Sequence, residues 1–171
     1  MLTQAKLKKI VHYNPKIGEL TWKRRSGSKH GDKIFNAQHA GKRAGSESSR
    51  YKLITINYIT YTEHKIIWLY MTGAFPKPPF QMDHINHSKH DNRWENLRLA
   101  TGSQNRQNSK SKVIGRSGKR GVIYDPENDR FYARITVRRK AIHLGTFENA
   151  DLAYAAYVAY ARIHHGEFTT V

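Results

Sequence analysis

Residues 81–108 read Gln81-Met82-Asp83-His84-Ile85-Asn86-His87-Ser88-Lys89-His90-Asp91-Asn92-Arg93-Trp94-Glu95-Asn96-Leu97-Arg98-Leu99-Ala100-Thr101-Gly102-Ser103-Gln104-Asn105-Arg106-Gln107-Asn108. The pattern is a short strand ending at Asp83-His84, a polar loop, and a second strand over 97–100. A helix follows, opened by Thr101 with Gln104 three residues on, which is a capping-box spacing. Trp94, Leu97 and Leu99 are the apolar anchors that so small a module needs. Asn105 falls in the first turn of the helix, where a side chain is held rigidly. Asp83 and Asn105 offer oxygen donors, the ligand type that Mg²⁺ and Mn²⁺ prefer. Two protein ligands leave room for water and a phosphate. Successive strand residues point to opposite faces, so His84 stays off such a metal and can take a proton from an attacking water near neutral pH. His87 and His90 are read as loop residues, at most phosphate contacts.

Working outward, the charge balance names the partner class. The chain has 171 residues, with 30 Lys and Arg against 13 Asp and Glu, a formal net charge of +17. An excess of this size on a small protein points to a polyanion, most often nucleic acid. There is no cysteine, which excludes disulfides, thiolate metal sites and cysteine nucleophiles and fits a cytoplasmic setting. No apolar run is long enough to span a bilayer, and the first residues have no secretory pattern.

N-terminal to the central stretch, residues 3–12 place Leu7, Ile10 and Val11 at helical spacing. A turn at 14–18 and a strand at 19–22 follow. The Gly-, Ser- and Lys-rich stretch from Arg24 to Ser49 is expected to be loop, ordered on DNA. Residues 51–56 and 59–62 flank Asn57-Tyr58 as a tight hairpin. The stretch 63–72 is expected to be a helix with Ile66, Ile67 and Tyr70 on one stripe, stopped by Gly73.

With the hairpin and helix at 51–73, residues 81–108 resemble the HNH endonucleases of phage and intron homing type. The matching pieces are Asp83-His84, Asp91-Asn92-Arg93, Glu95-Asn96-Leu97-Arg98 and Ser103 to Asn108. Asn96 lies 12 residues after His84, and Asn105 lies 22 after Asp83. The resemblance implies a ββα-metal module and hydrolysis of phosphodiester bonds in double-stranded DNA, leaving 5′-phosphate and 3′-hydroxyl ends. It implies Asp83 and Asn105 as ligands of Mg²⁺ or Mn²⁺ and His84 as general base. Asn96 would hold the loop that orients the base. His64 also matches, as a structural or DNA-backbone residue. Arg93 is either a structural ion pair or a phosphate contact. The rival is a DNA-binding regulator whose module no longer cuts.

Residues 109–117 are expected to be a basic linker, and 118–171 a second unit. Three strands at 121–124, 131–137 and 141–144 precede a long helix opened by Asn149 and closed by Gly166. On the middle strand Phe131, Ala133, Ile135 and Val137 share one face, able to pack on Ala153 and Ala156 of the helix. Tyr132, Arg134, Thr136 and Arg138 share the other. His143 points with the polar set. From Lys110 to His143 there are ten Lys or Arg against three acids. This unit resembles the DNA-binding domain of plant ethylene-response factors, carried by Arg120-Gly121-Val122, Phe131 to Ile135 and Leu144 to Phe147. The resemblance implies a sheet in the major groove, and Arg120 and Arg130 join Tyr132, Arg134, Thr136, Arg138 and His143 as candidate DNA contacts. His143 stands where the plant family has Trp, so the plant domain's target sequence does not carry over.

The expected fold class is therefore α+β. A nuclease domain with an N-terminal strand and helix elaboration occupies 1–108, with its core at about 81–108. A three-stranded sheet on one helix follows. Cutting both strands would require a homodimer or a second event, since one such site cuts one strand per visit. A phage-encoded chain would act in the host cytoplasm.

Overall fold

The computed structural model describes residues 2–108 and 115–169. The chain divides into two compact units, 1–103 and 104–171. The linker expected at 109–117 lies mostly on 109–114, outside the described residues.

The first unit opens with α1 (Gln4–Ile10), whose N-cap Thr3 accepts from the Lys6 amide. The helix ends two residues earlier than its apolar spacing suggests. Val11 and Tyr13 face inward and His12 outward on strand β1 (Val11–Asn14), which pairs antiparallel with β2 (Glu19–Trp22). A period of two wins there because Val11 and Tyr13 enter the core beside Leu7 and Leu20.

The stretch expected to be loop contains a helix, α2 (His30–His39), and a short strand, β3 (Ser46–Glu47). No residue of α2 is fully buried. Phe35 packs edge-on to Trp22 at 5.6 Å and lies 3.7 Å under the Arg25 guanidinium. Asn36 brackets the Arg25 backbone, accepting from its N–H at 2.8 Å and donating to its carbonyl at 2.9 Å. These side-chain anchors supply what an apolar stripe would otherwise provide.

Strands β4 (Lys52–Ile56) and β5 (Ile59–Thr62) form the expected hairpin, and β3 completes a sheet of order β3-β4-β5. Asn57 and Tyr58 both take positive φ, 50° and 63°, as a two-residue hairpin turn requires. Helix α3 (Glu63–Thr72) ends on Gly73, left-handed at φ 87°. Its Ile66, Ile67 and Leu69 join Leu7, Val11, Tyr13, Leu20, Ile54, Ile56 and Leu97 in one core. Strands β6 (Phe80–His84) and β7 (Leu97–Thr101) pair antiparallel, with Asp83 opposite Arg98 and His84 opposite Leu97. Helix α4 (Gly102–Gln107) begins directly after β7.

In the second unit β8 (Val122–Asp125), β9 (Arg130–Val137) and β10 (Lys140–Phe147) form an antiparallel sheet of order β10-β9-β8. Helix α5 (Ala150–His165) is capped by Asn149, whose side chain accepts from the Leu152 amide at 2.9 Å. Ala153, Tyr157 and Ala161 form its buried stripe against Val122, Ala133 and Ile135, with Ala156 half-buried at the edge. Gly121, at φ 72°, lies against the Tyr157 ring where a Cβ would collide with it. Arg120 donates to the carbonyls of Gln107 at 3.0 Å and Arg106 at 3.3 Å, so the last turn of α4 belongs to this unit. No helix among the described residues is long and apolar enough to cross a membrane.

Candidate active site

The β6 strand delivers Asp83 and His84 to different surroundings. Arg98, across the ladder, donates from Nε to Asp83 Oδ2 at 2.9 Å, with both side chains only about a tenth exposed. His84 turns inward and is 6 % exposed.

The loop between β6 and β7 is held by its own polar side chains. Asn96 accepts from the Asn86 amide at 2.9 Å and donates to the Asp91 carbonyl at 2.7 Å, while its backbone carbonyl accepts from the Ile85 N–H at 3.0 Å. Asp91 accepts from Arg93 Nε at 2.9 Å and Nη2 at 2.8 Å, and from Asn86 Nδ2 at 2.7 Å. The Arg93 bond is the main reason the Asp91 carboxyl is held down at about 2. Arg93 also donates to Glu95 at 2.9 Å. Its guanidinium is thus engaged in the ion-pair alternative of the two that its sequence position left open.

The first hairpin braces this loop from outside. The Tyr13 hydroxyl donates to the Asn92 carbonyl at 2.8 Å, and the Trp94 amide donates to the Pro15 carbonyl at 3.2 Å. Gly18, at φ 72°, sits so near the backbone of Asn92 and Arg93 that a Cβ would overlap both. Trp94 closes the contact by packing on Trp68 at 5.2 Å.

Behind His84 lies a buried polar chain. His84 Nε2 is 3.0 Å from Asn92 Oδ1, and Asn92 Nδ2 donates to Glu63 Oε2 at 3.0 Å. Arg43 Nη2 is 3.7 Å from Glu63 Oε1. Asn92 and Glu63 are each 1 % exposed. Burial pushes the Glu63 carboxyl up, against Arg43 and the Asn92 bond, which pull it down. Burial pushes the His84 imidazole below its ordinary value, against the Asn92 bond and the charges of Asp83 and Asp91. A base so placed is neutral at pH 7 and able to accept a proton.

His64 packs edge-on to His84 with ring centres 5.3 Å apart, and its Nε2 lies 3.2 Å from Thr62 Oγ1. Burial, followed by the fields of His84 and Lys65, lowers it to about 3. It is a neutral wall for the base. Tyr51 packs against His64 at 5.1 Å and stacks toward His84 at 6.5 Å.

The structure thus gathers His84 with Glu63, His64 and Asn92, and ties Asn96 and Asp91 into the adjoining loop. Asp83 is fixed by Arg98. Asn105 lies on α4 past the boundary between the units. Sequence reasoning gave no role to Glu63, Asn92, Gly18 or Tyr13. Glu63 carried a usable signal, since it lies on the same helical stripe as Ile66, Ile67 and Tyr70. An acid on a core-facing stripe needs a buried partner.

In the second unit Arg134 and Thr136 are exposed on β9, and His143 is exposed on β10 opposite Arg134. Tyr132, half-buried, lies 5.9 Å from the His143 ring. Arg138, expected on the β9 face with Tyr132, Arg134 and Thr136, lies past the end of that strand, where with Arg139 it forms the β9–β10 turn at φ 50° and 66°. Arg130 pairs with Glu148 at 3.3 Å, and Arg120 is bound to the α4 carbonyls.

Residues 61–107 match the family model described as HNH endonuclease. The matched stretch contains Glu63, His64, Asp83, His84, Asn92, Asn96 and Asn105. No curated protein matches the chain.

Proposed function

We propose that this protein is a metal-dependent DNA endonuclease of the homing type that hydrolyses phosphodiester bonds, with His84 as general base. The observation that carries the reading is His84: buried, neutral at pH 7 and anchored through Asn92, inside a stretch matching the HNH endonuclease model.

The donor chemistry fits a hard cation. Asp83 is an oxygen donor whose Oδ2 accepts from Arg98 at 2.9 Å. Asp83 and Asn105 would hold the ion, Mg²⁺ or Mn²⁺; this assignment draws on oxygen-donor chemistry and on the family match, which spans both residues. When bound, the cation supplies charge stabilisation at the phosphoryl and leaving oxygens. His84 takes the proton from the attacking water. Asn96 holds the loop from Asn86 to Asp91 and so keeps the base's surroundings fixed. Asp91 and Arg93 stiffen the same loop.

The second unit is the DNA-gripping module, of the ethylene-response-factor type. The open sheet face with Tyr132, Arg134, Thr136 and His143 supports this, since a sheet can present such side chains to the major groove. Double-stranded DNA is the substrate, a homodimer or a second event cuts both strands, and the setting is the cytoplasm of a phage host.

Supercoiled plasmid incubated with the full chain and Mg²⁺ should convert to nicked and linear forms, and EDTA should stop the conversion. Undiminished cutting in EDTA would overturn the metal assignment. No cutting with either Mg²⁺ or Mn²⁺ on any duplex tested would overturn the nuclease reading.

A further inference from the structure

A histidine serves as base through one ring nitrogen, and the other must carry the proton. The nuclease reading, on which this inference rests, leaves open what decides between them. We propose that Asn92 and Glu63 are positioning residues that lock His84 in the tautomer with the proton on Nε2 and the basic lone pair on Nδ1.

Three features lead there. The Asn92 amide meets His84 through Oδ1 at 3.0 Å, and an amide oxygen only accepts, so Nε2 must bear the hydrogen. The amide cannot turn over, because its Nδ2 donates to Glu63 Oε2 at 3.0 Å. A reversed amide would set two acceptors against each other at that distance. Finally, the chain is sealed, with Glu63 and Asn92 each 1 % exposed and His84 6 % exposed. At so buried a site, a donor or acceptor left unsatisfied carries its desolvation cost.

Arg43 belongs to the same device. A neutral Glu63 could donate to a reversed Asn92, whose Nδ2 would then donate to Nε2 and move the proton to Nδ1. Burial raises the Glu63 carboxyl, and Arg43, 3.7 Å from Oε1, together with the Asn92 bond opposes that rise and favours the carboxylate, which can only accept. The order Arg43–Glu63–Asn92–His84 therefore runs from a fixed charge to a fixed tautomer. The hydrogen bonds of Asn96 end on loop backbone, at the Asn86 amide and the Asp91 carbonyl, whereas this route reaches the base through side chains.

The test reads the tautomer directly. Full-length protein labelled with ¹⁵N-histidine, without metal or DNA at pH 8, should show His84 with Nε2 as N–H and Nδ1 as the lone-pair nitrogen. The resonance is assigned by its loss in His84→Gln. Glu63→Gln keeps the shape but can both donate and accept, and Asn92→Leu removes the acceptor. Each should give a tautomer mixture and lower kcat roughly 10–100-fold, the range typical for partners that orient a reactive side chain. KM and duplex affinity should stay within about threefold. Wild-type His84 protonated on Nδ1 would overturn the proposal, and so would Glu63→Gln retaining the pure Nε2–H form. If Asn92→Leu does not fold, the wild-type and Glu63→Gln spectra still decide. Because the spectra need neither metal nor DNA, a locked tautomer in a protein that cuts nothing would sink the nuclease reading alone.

Discussion

The two units treat their polar side chains in opposite ways. Glu63, His84, Asn92 and Asn96 are each at most 6 % exposed and are bonded to one another or to loop backbone. Arg134, Thr136 and His143 stand on an open sheet face. The difference follows from the work each set does. A proton must be removed at one place, so a base is useful only with its position and tautomer fixed, and burial supplies the low dielectric that makes each bond stiff. A duplex is met over a broad surface, where long side chains gain by reaching through water to phosphates and base edges. Fixed geometry characterises the first unit and reach characterises the second.

The sharpest way to break this contrast is to remove the base. His84→Ala should lower the cleavage rate ~10²–10⁴-fold and leave duplex affinity unchanged, measured by single-turnover cutting beside equilibrium binding. Cutting within threefold of wild type would show that the buried chain serves only the fold.

Next in size are two glycines that hold the units in shape separately. Gly18 and Gly121 share φ 72°, and each occupies a place where a Cβ would collide, with the backbone of Asn92 and Arg93 or with the Tyr157 ring. Alanine at either should cost ~1–3 kcal/mol. Gly18→Ala should slow cutting while DNA affinity holds. Gly121→Ala should weaken binding and lower only the second unit's transition in calorimetry. Equal losses of both properties in both variants would mean that the units do not divide the tasks.

These glycines also mark where the sequence stopped being legible. The strand pairs, α3, α5 and the Asp83-His84 strand end followed from apolar period and capping residues. Helix α2 did not, because it has no buried stripe and is fixed by Phe35, Arg25 and Asn36 through tertiary contacts. Arg138 was misplaced because alternation continues through it, while Arg138-Arg139 lacks the Gly or Asn that usually announces a turn with positive φ. The loop clamp by Asn96 was implied by family resemblance alone. The link from His84 through Asn92 to Glu63 joins residues 29 and 8 positions apart, and no periodicity reports such a bond.

A smaller effect should separate the units by pH. The buried His64 titrates at about 3 in the folded chain, against about 6.5 when exposed. Between those values the unfolded chain binds more protons, so stability falls as pH falls through this window and is fully present above it. Burial pushes His84 the same way, whereas Glu63, pushed up, acts in the opposite sense. The first unit's melting temperature should therefore drop steadily from pH 7 to 4, and His64→Gln should flatten that slope. The second unit, whose lowered His165 is only half-buried, should respond less. A slope unchanged in His64→Gln would refute the assignment.

The smallest effect tests the exposed side of the contrast. Arg134 sits mid-strand on β9, opposite His143 and flanked on its face by Tyr132 and Thr136. An exposed arginine contributes little to folding, so Arg134→Ala should move either thermal transition by no more than about 2–4 °C, surface changes being worth within roughly ±0.5 kcal/mol. Its effect should appear in binding alone. If Arg134 meets a phosphate, affinity falls evenly on all duplexes and the slope of log K against log salt becomes shallower by about 0.9. If it reaches a base edge, the loss is about 1–3 kcal/mol on the preferred sequence, with little change in slope. The metal requirement and the rate on bound DNA should be untouched in both cases, because no part of the His84 chain lies on this face. A variant that binds every duplex with wild-type affinity and slope would leave the sheet without a DNA role, and recognition would then fall to the basic surface of residues 1–80.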